Sequence, residues 1–587
     1  MQEFIALTEK SEPDNAYVKV FEALNMSLKD YTNNNNNNTT CVVFDVLIIA
    51  CAQKGLFQEA IDVFYRMRRR RFMPMVQACN TLLSALLKMD RVDLVWSLYE
   101  EMVSSGLRPN VYIYNTLINA SCKEGKLQKA FELFEEMKTK KIDPTVVTYS
   151  ILISGLCKED KMQEASDLFR TMQALDVAPN QFTYSAMMDG FCKRANMKEG
   201  LKLYDEMRQK GIEPNVVIYC TLIDGHCKER NMEEANKLSV EMVGKGITPN
   251  VVIYNSLIDG HCNKGNLGNL EEALTLRLEM FKMSLMPDVF TYSSLIKGFC
   301  VEEKVEEAEH LLCEMLERGV VPNCVTYNTL IDGLCKEGKS EKALGYCVQM
   351  VENGLVADVV TFSTLIDGHC KEGKMEKALG LYNEMLVKGF TPDVVAYTAL
   401  IDGYCKDGNV QEAFKLHDEM VGKGIMPNVF TLSSLINGLC KEGQVDKAME
   451  FFREKMRNDS PIVTTTNGDS LDEQINHYVC KPNNFTYTTL IYGQCKEGNL
   501  QKAIHLYRDM IECDLKPDVF TYTVLIWGHC KESNIWDSLK LYADMLKNGL
   551  VANAVTYNVL IIALQKNGEL ELACKFSDEC AKIKATK

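Results

Sequence analysis

A 35-residue period runs through most of the chain, and it leaves few choices for the fold. Copies begin at Cys41, Val76, Val111, Val146, Gln181, Val216, Val251, Val289, Cys324, Val359, Val394, Val429, Asn484, Val519 and Ala554, which makes fifteen repeats, the last one residue short. Two are longer: Val251–Asp288 has 38 residues and Val429–Asn483 has 55. Without the period, a length of 587 residues would suggest about four globular domains at ~150 residues each. With it, the natural unit is one repeat.

Each repeat reads as two helices. In Val111–Thr145, Tyr114, Leu117, Ile118, Ser121 and Cys122 recur at helical spacing and Gly125 ends the first helix. Leu127, Ala130, Phe131, Phe134 and Met137 line one face of the second, and Pro144 stops it. A helical hairpin of this size cannot bury its apolar stripes alone, whereas stacked copies bury a continuous ribbon. The expected fold is all-α: a right-handed α-solenoid superhelix of about fifteen 35-residue helix-turn-helix repeats, with a concave groove. The solenoid spans 41–587. Residues 1–40 form an N-terminal segment with an amphipathic piece, Val18–Leu28, and an Asn-rich linker, Asn33–Asn38; a loop insertion is expected at about 457–481.

Composition removes several classes of function. No run of about 18 apolar residues occurs, so no membrane span is expected. The acidic opening resembles neither a secretory signal nor a transit peptide. The 23 cysteines are therefore read as reduced thiols. Twelve of them, Cys122, Cys157, Cys192, Cys227, Cys262, Cys300, Cys335, Cys370, Cys405, Cys440, Cys495 and Cys530, share one place in the repeat, too far apart in successive helices for disulfides. Adjacent His-Cys pairs such as His226-Cys227 point in different directions on a helix, and no CxxC spacing occurs, so no metal is expected. Neither a phosphate loop nor a zinc-deaminase signature is found, and the chain ends inside its fifteenth repeat. No catalytic residue and no cofactor is expected. The net charge of −15 argues at first sight against nucleic acid.

Polar residues that recur at fixed places need a reason other than the core. The fifth residue is Asn80, Asn115, Ser150, Ser185, Cys220, Asn255, Ser293, Asn328, Ser363, Thr398, Ser433, Thr488 and Thr523 in successive repeats. The last residue is Asn110, Thr145, Asn180, Asn215, Asn250, Asp288, Asn323, Asp358, Asp393, Asn428, Asn483, Asp518 and Asn553. At the second place stand Val147, Phe182, Val217, Val252, Phe290, Val325, Val360, Val395, Phe430, Phe485 and Phe520. The thirteenth is lysine in twelve repeats: Lys88, Lys123, Lys158, Lys193, Lys228, Lys336, Lys371, Lys406, Lys441, Lys496, Lys531 and Lys566. Stacking would align these lysines in one stripe able to meet phosphates inside an otherwise acidic chain. The plainer reading is that lysine complements a helix C-terminus. Likewise, Asn or Asp after proline and before a helix suits an N-cap. Capping does not explain the small polar fifth residue, where a better helix former would serve.

These places carry a resemblance. The uniform 35-residue spacing, with Tyr-Asn-Thr-Leu-Ile-Asp-Gly-Leu-Cys-Lys-Glu-Gly at Tyr327–Gly338, resembles the pentatricopeptide repeat in its P-class form, and more narrowly the plant organellar members that include fertility restorers. The resemblance implies single-stranded RNA binding at one base per repeat, a mitochondrial or chloroplast location, and action on transcript stability, processing or translation without catalysis, with protein partners in RNA processing possible. Guanine and uracil present a ring N–H, adenine and cytosine a ring nitrogen acceptor. Asp, which only accepts, suits the first pair; Asn, which can donate, suits the second. The resemblance adds that Ser or Thr at the fifth place goes with purines and Asn with pyrimidines, and that the second residue packs on base faces. The implied site, 5′ to 3′, is Y-?-A-A-?-U-A-U-G-A-A-G-A, with Asn115/Thr145 and Cys220/Asn250 unread. The alternative is a protein-binding scaffold of tetratricopeptide type, whose unit is 34 residues and whose pattern uses Trp, of which this chain has three.

Overall fold

A computed structural model describes residues 37–69, 72–263, 267–456 and 480–585. The expected Val18–Leu28 piece, most of the Asn run and the insertion at 457–479 lie outside the described residues. Among these, the chain is an all-helical solenoid of thirty helices with no strand. They form fifteen consecutive pairs, from Asn37–Gln53 with Phe57–Arg69 to Ala554–Lys566 with Leu570–Ala585. The chain divides into two compact bodies, Met1–Lys264 with Glu271–Pro287 and Gly265–Leu270 with Asp288–Lys587.

The boundaries follow the repeat arithmetic in most first helices; Val251–Cys262 closes one residue early and Asn484–Glu497 one residue late. Helices open at the first residue of the predicted repeat, as at Val76, Val111, Val146 and Gln181, and close at the thirteenth, as at Lys88, Lys123, Lys158 and Lys193. The first helix instead starts at Asn37, inside the Asn run read from sequence as a linker, four residues before Cys41. Gly125 ends its helix as expected. It takes φ +71°, and the Lys126 N–H returns to the Ser121 carbonyl at 2.9 Å, the 6→1 bond of a Schellman turn.

Within each body, the first helix of a repeat packs on the first helix of the next and on its own partner. First helices are therefore buried over most of their circumference; Ile113, Tyr114, Leu117, Ile118, Ala120 and Ser121 are all buried. Second helices bury one face, in Leu127–Thr139 through Leu127, Ala130, Leu133, Phe134 and Met137, while Phe131 is only half-buried. The tyrosine at the fourth place is a buried ring whose hydroxyl needs a partner. Tyr114, Tyr184 and Tyr219 donate to Glu136, Glu206 and Glu241 of their own second helices at 3.0, 2.9 and 3.1 Å.

Glycine at the tenth place explains the recurrent cysteine. A Cβ at Gly368 would lie 2.4 Å from Cys335 Sγ, and one at Gly155 2.7 Å from Cys122 Sγ. The thiol of one repeat thus occupies the space left by a glycine of the next. Burial pushes the Cys335, Cys370 and Cys440 thiols up to about 12, which makes them packing groups rather than nucleophiles.

Candidate nucleic-acid interface

Every Asn or Asp at the last place is the N-cap of the following helix. Asn110 Oδ1 accepts the Ile113 N–H at 3.1 Å, Asn180 that of Thr183 at 3.0 Å, Asp358 that of Thr361 at 2.9 Å and Asp518 that of Thr521 at 2.8 Å; the same bond is made by Asn215, Asn250, Asp288, Asn323, Asp393, Asn428, Asn483 and Asn553. Capping and base reading are compatible, because the cap uses one oxygen. An amide held by Oδ1 turns its NH₂ away from the helix, and a carboxylate turns a second oxygen the same way. The cap therefore decides which atom remains: a donor in Asn, an acceptor in Asp.

The fifth residues lie deeper than a surface reading implies. Asn115, Ser150, Ser363, Ser433, Thr488 and Thr523 are buried, whereas Asn80, Ser185, Cys220, Asn255, Ser293, Asn328 and Thr398 are half-buried. At least eight of them bond to the third residue of the next repeat, among them Ser150 to Thr183 at 2.6 Å, Asn328 to Thr361 at 2.7 Å and Thr488 to Thr521 at 2.8 Å. Sequence reasoning missed these threonines. Thr148, Thr183, Thr291, Thr326, Thr361, Thr431, Thr486, Thr521 and Thr556 have no exposed surface, and their recurrence three residues after an N-cap was the signal that could have found them.

The second residues are the opposite, exposed apolar side chains in the eleven repeats from Val146 to Val519. Val147, Phe182, Val217, Val252, Phe290, Val325, Val360, Val395, Phe430, Phe485 and Phe520 are all open to solvent. Where Phe485 and Phe520 face a common space, a pocket of about 400 Å³ also holds Thr488 and Asp518, the fifth and last residues of that repeat. Nearer the N-terminus, a groove of about 1370 Å³ is lined by Asn80, Asn110, Asn115, Thr145, Val147 and Lys88 among others. The second, fifth and last places are thus brought together.

The lysines stand at the C-terminal ends of the first helices, but they are not uniformly free. Lys193, Lys228, Lys336, Lys371 and Lys406 are paired with Asp189, Asp224, Asp332, Asp367 and Asp402, one turn earlier, at 2.5–2.7 Å. The hydrogen bond to Asp224 raises Lys228 above its usual range. Lys123 is paired with Asp90 at 3.1 Å. Lys496 and Lys531 instead donate to carbonyls of Lys441 and Lys496 at the end of the preceding first helix. These helix-end contacts thus engage the side chains that the sequence reading assigns to a phosphate track. Among the described residues, no three His, Cys, Asp or Glu side chains gather as a metal would need, and no helix is long and apolar enough to cross a membrane.

The profile of the PPR repeat family matches overlapping segments that run from 74 to 441 and from 482 to 566, with single PPR repeats matched at 42–72 and 430–459. The chain belongs to this family. Among PPR relatives from Arabidopsis thaliana, one mitochondrial pentatricopeptide repeat-containing protein is 32% identical over 69 residues, 12% of this chain and 11% of the relative. A second, also mitochondrial, is 35% identical over 92 residues, 16% of each. The matches span at most about a sixth of these relatives' lengths. The PPR fold itself is shared with the crystal structure of the pentatricopeptide repeat protein PPR10 from maize, at TM-score 0.53 and 21% identity over 93% of this chain and 79% of that one. PPR10 in complex with an 18-nt psaJ RNA element gives 0.51 and 20% over 95% and 87%.

Proposed function

We propose that this PPR protein binds single-stranded RNA sequence-specifically, one base per repeat, and acts by occupancy without catalysis. The observation that carries the reading is the pocket between Phe485 and Phe520. Its walls are apolar rings suited to base faces, and its edge holds Thr488 and the Asp518 carboxylate, whose cap leaves an acceptor for a ring N–H. The fold shared with PPR10, which has been seen on an RNA element, supports the same reading.

The RNA is an organellar transcript in this proposal, and occupancy protects it from nucleases, defines its end or changes its translation. Mitochondrial relatives support that location, as does the narrower resemblance to fertility-restorer-like members. The site is Y-?-A-A-?-U-A-U-G-A-A-G-A. Equilibrium binding to this 13-nucleotide RNA, to its complement and to the matching DNA duplex tests it: the RNA should bind at least tenfold more tightly than either of the others. Equal binding to all three would remove base reading as the function.

A further inference from the structure

We propose that the threonine found at the third place of nine repeats is a positioning residue for the base-reading pair of the repeat before it. The inference rests on the function proposed above and adds a residue to it.

The Thr361 hydroxyl is fully buried. It lies 2.7 Å from Asn328 Oδ1 and 2.9 Å from Asp358 Oδ1, and it accepts the Asp358 backbone N–H at 3.3 Å. Asn328 and Asp358 are the fifth and last residues of one repeat, and Thr361 belongs to the next. A hydroxyl donor against Oδ1 fixes the Asn328 amide with its oxygen inward. Its NH₂ then lies on the other side, 3.3 Å from Asp358 Oδ1 with one hydrogen to spare. Thr361 thereby settles which face the amide offers to a base.

Where the fifth residue is a hydroxyl, the same threonine settles the direction of its proton. Ser150 donates to the Val146 carbonyl at 2.7 Å, and the single hydrogen of Thr183 then goes to Ser150, 2.6 Å away, rather than to Asn180 Oδ1 at 3.0 Å. Ser293 between Val289 and Thr326, and Thr523 between Val519 and Thr556, repeat the arrangement at 2.6–2.7 Å. With its own proton committed, each of these fifth residues is left an acceptor.

Four pairs lack the threonine; Asn80/Asn110 and Ser185/Asn215 are followed by Ile113 and Ile218, and two others supply a contrast within the same molecule. The third residue after the Ser363/Asp393 pair is Ala396, and after Cys220/Asn250 it is Ile253. Here the pair closes on itself: Ser363 Oγ donates to Asp393 Oδ1 at 2.9 Å, and Cys220 Sγ lies 3.8 Å from Asn250 Oδ1.

The test uses the full chain and the 13-nucleotide RNA with U or C at its eighth base, the one assigned to Asn328/Asp358. Thr361→Val should lower the U-over-C affinity ratio about tenfold, the scale of one hydrogen bond, whereas Thr361→Ser should retain it. Ala396→Thr should raise G-over-A preference at the ninth base severalfold, a gain that no folding defect can mimic. If the wild type prefers U and Thr361→Val keeps that ratio, or if Ala396→Thr leaves the ninth base unchanged, the positioning role is overturned while base reading stands. A wild type with no preference at either base would overturn base reading itself, and the positioning role with it.

Discussion

Asp358 is held in its charged form by its neighbours. Burial by itself would raise its carboxyl, but the Thr361 backbone and hydroxyl and the Asn328 amide together bring it below the usual carboxylate range. A depressed folded value means that the carboxylate's contribution is present above the unfolded value of about 4 and is lost only as pH falls through the lower folded one. Preference for U at the eighth base should therefore be unchanged between pH 8 and pH 5 in titrations of RNA binding; a loss already at pH 6 would show a neutral carboxyl. Asp358→Asn removes the acceptor without removing the cap, since Asn323 and Asn428 cap their helices in the same way. That substitution should shift the eighth base from U towards C by about 1–3 kcal/mol, the scale of base-edge discrimination, with other positions unaffected in a binding array. The last residue was legible in sequence as a cap, because Asn and Asp are residues that caps favour; they are also the two that differ in donor and acceptor, on which the proposed base reading rests. The buried threonine was not legible. A threonine at the third helical position looks like ordinary capping chemistry, and its second partner stands 33 residues away in sequence.

At the scale of helices, the tightest constraint is the contact between the tenth residue of one first helix and the twelfth of the one before. A methyl group on Gly368 would fall 2.4 Å from Cys335 Sγ and 2.7 Å from its Cβ, in a core already closed by Leu330, Ile331, Leu365 and Ile366. Gly368→Ala should cost about 1–3 kcal/mol as overpacking, read as faster amide exchange in Cys324–Lys336 and Val359–Lys371. Cys335→Ala in the same chain should restore part of the protection, because it removes Sγ but leaves Cβ 2.7 Å from the added methyl; an additive loss would mean that the thiol and the glycine do not share space. Helix periodicity made these elements readable to within a residue at most ends, and it identified the cysteines as packing groups. It could not say what they pack against, because that requires the neighbouring repeat. The start at Asn37 escaped for a different reason: an Asn run has low helix propensity, and the buried Phe44, Leu47 and Ile48 that follow it override it.

For the whole molecule, the proposed RNA partner rests on where the charge lies and not on the net charge. Six of the twelve track lysines face a carboxylate partner, so counterion release should be smaller than the lysine count suggests. At ~0.7 per phosphate contact for single strands, the slope of log K against log salt should be about 4. Replacing Asp189, Asp224, Asp332, Asp367 and Asp402 by Asn frees five lysines and should steepen it by about 3, measured from 50 to 300 mM salt. The repeat count and the identity of the stripe were visible in sequence; the aspartates one turn away were not singled out, because in an acidic chain they look like ordinary surface charge.

The hydrogen bond from the fifth residue of one repeat to the third of the next also bears on how such a chain can be cut and rejoined. A junction placed just before a first helix, where the 35-residue copies begin on paper, separates Ser433 from Thr486 and Ser150 from Thr183, and splices each letter to a foreign neighbour. A junction inside a first helix, between its third and fifth residues, leaves every such pair with its original mate. Recombination between copies, in a genome or on a designer's bench, should preserve the text far better when its crossover falls there.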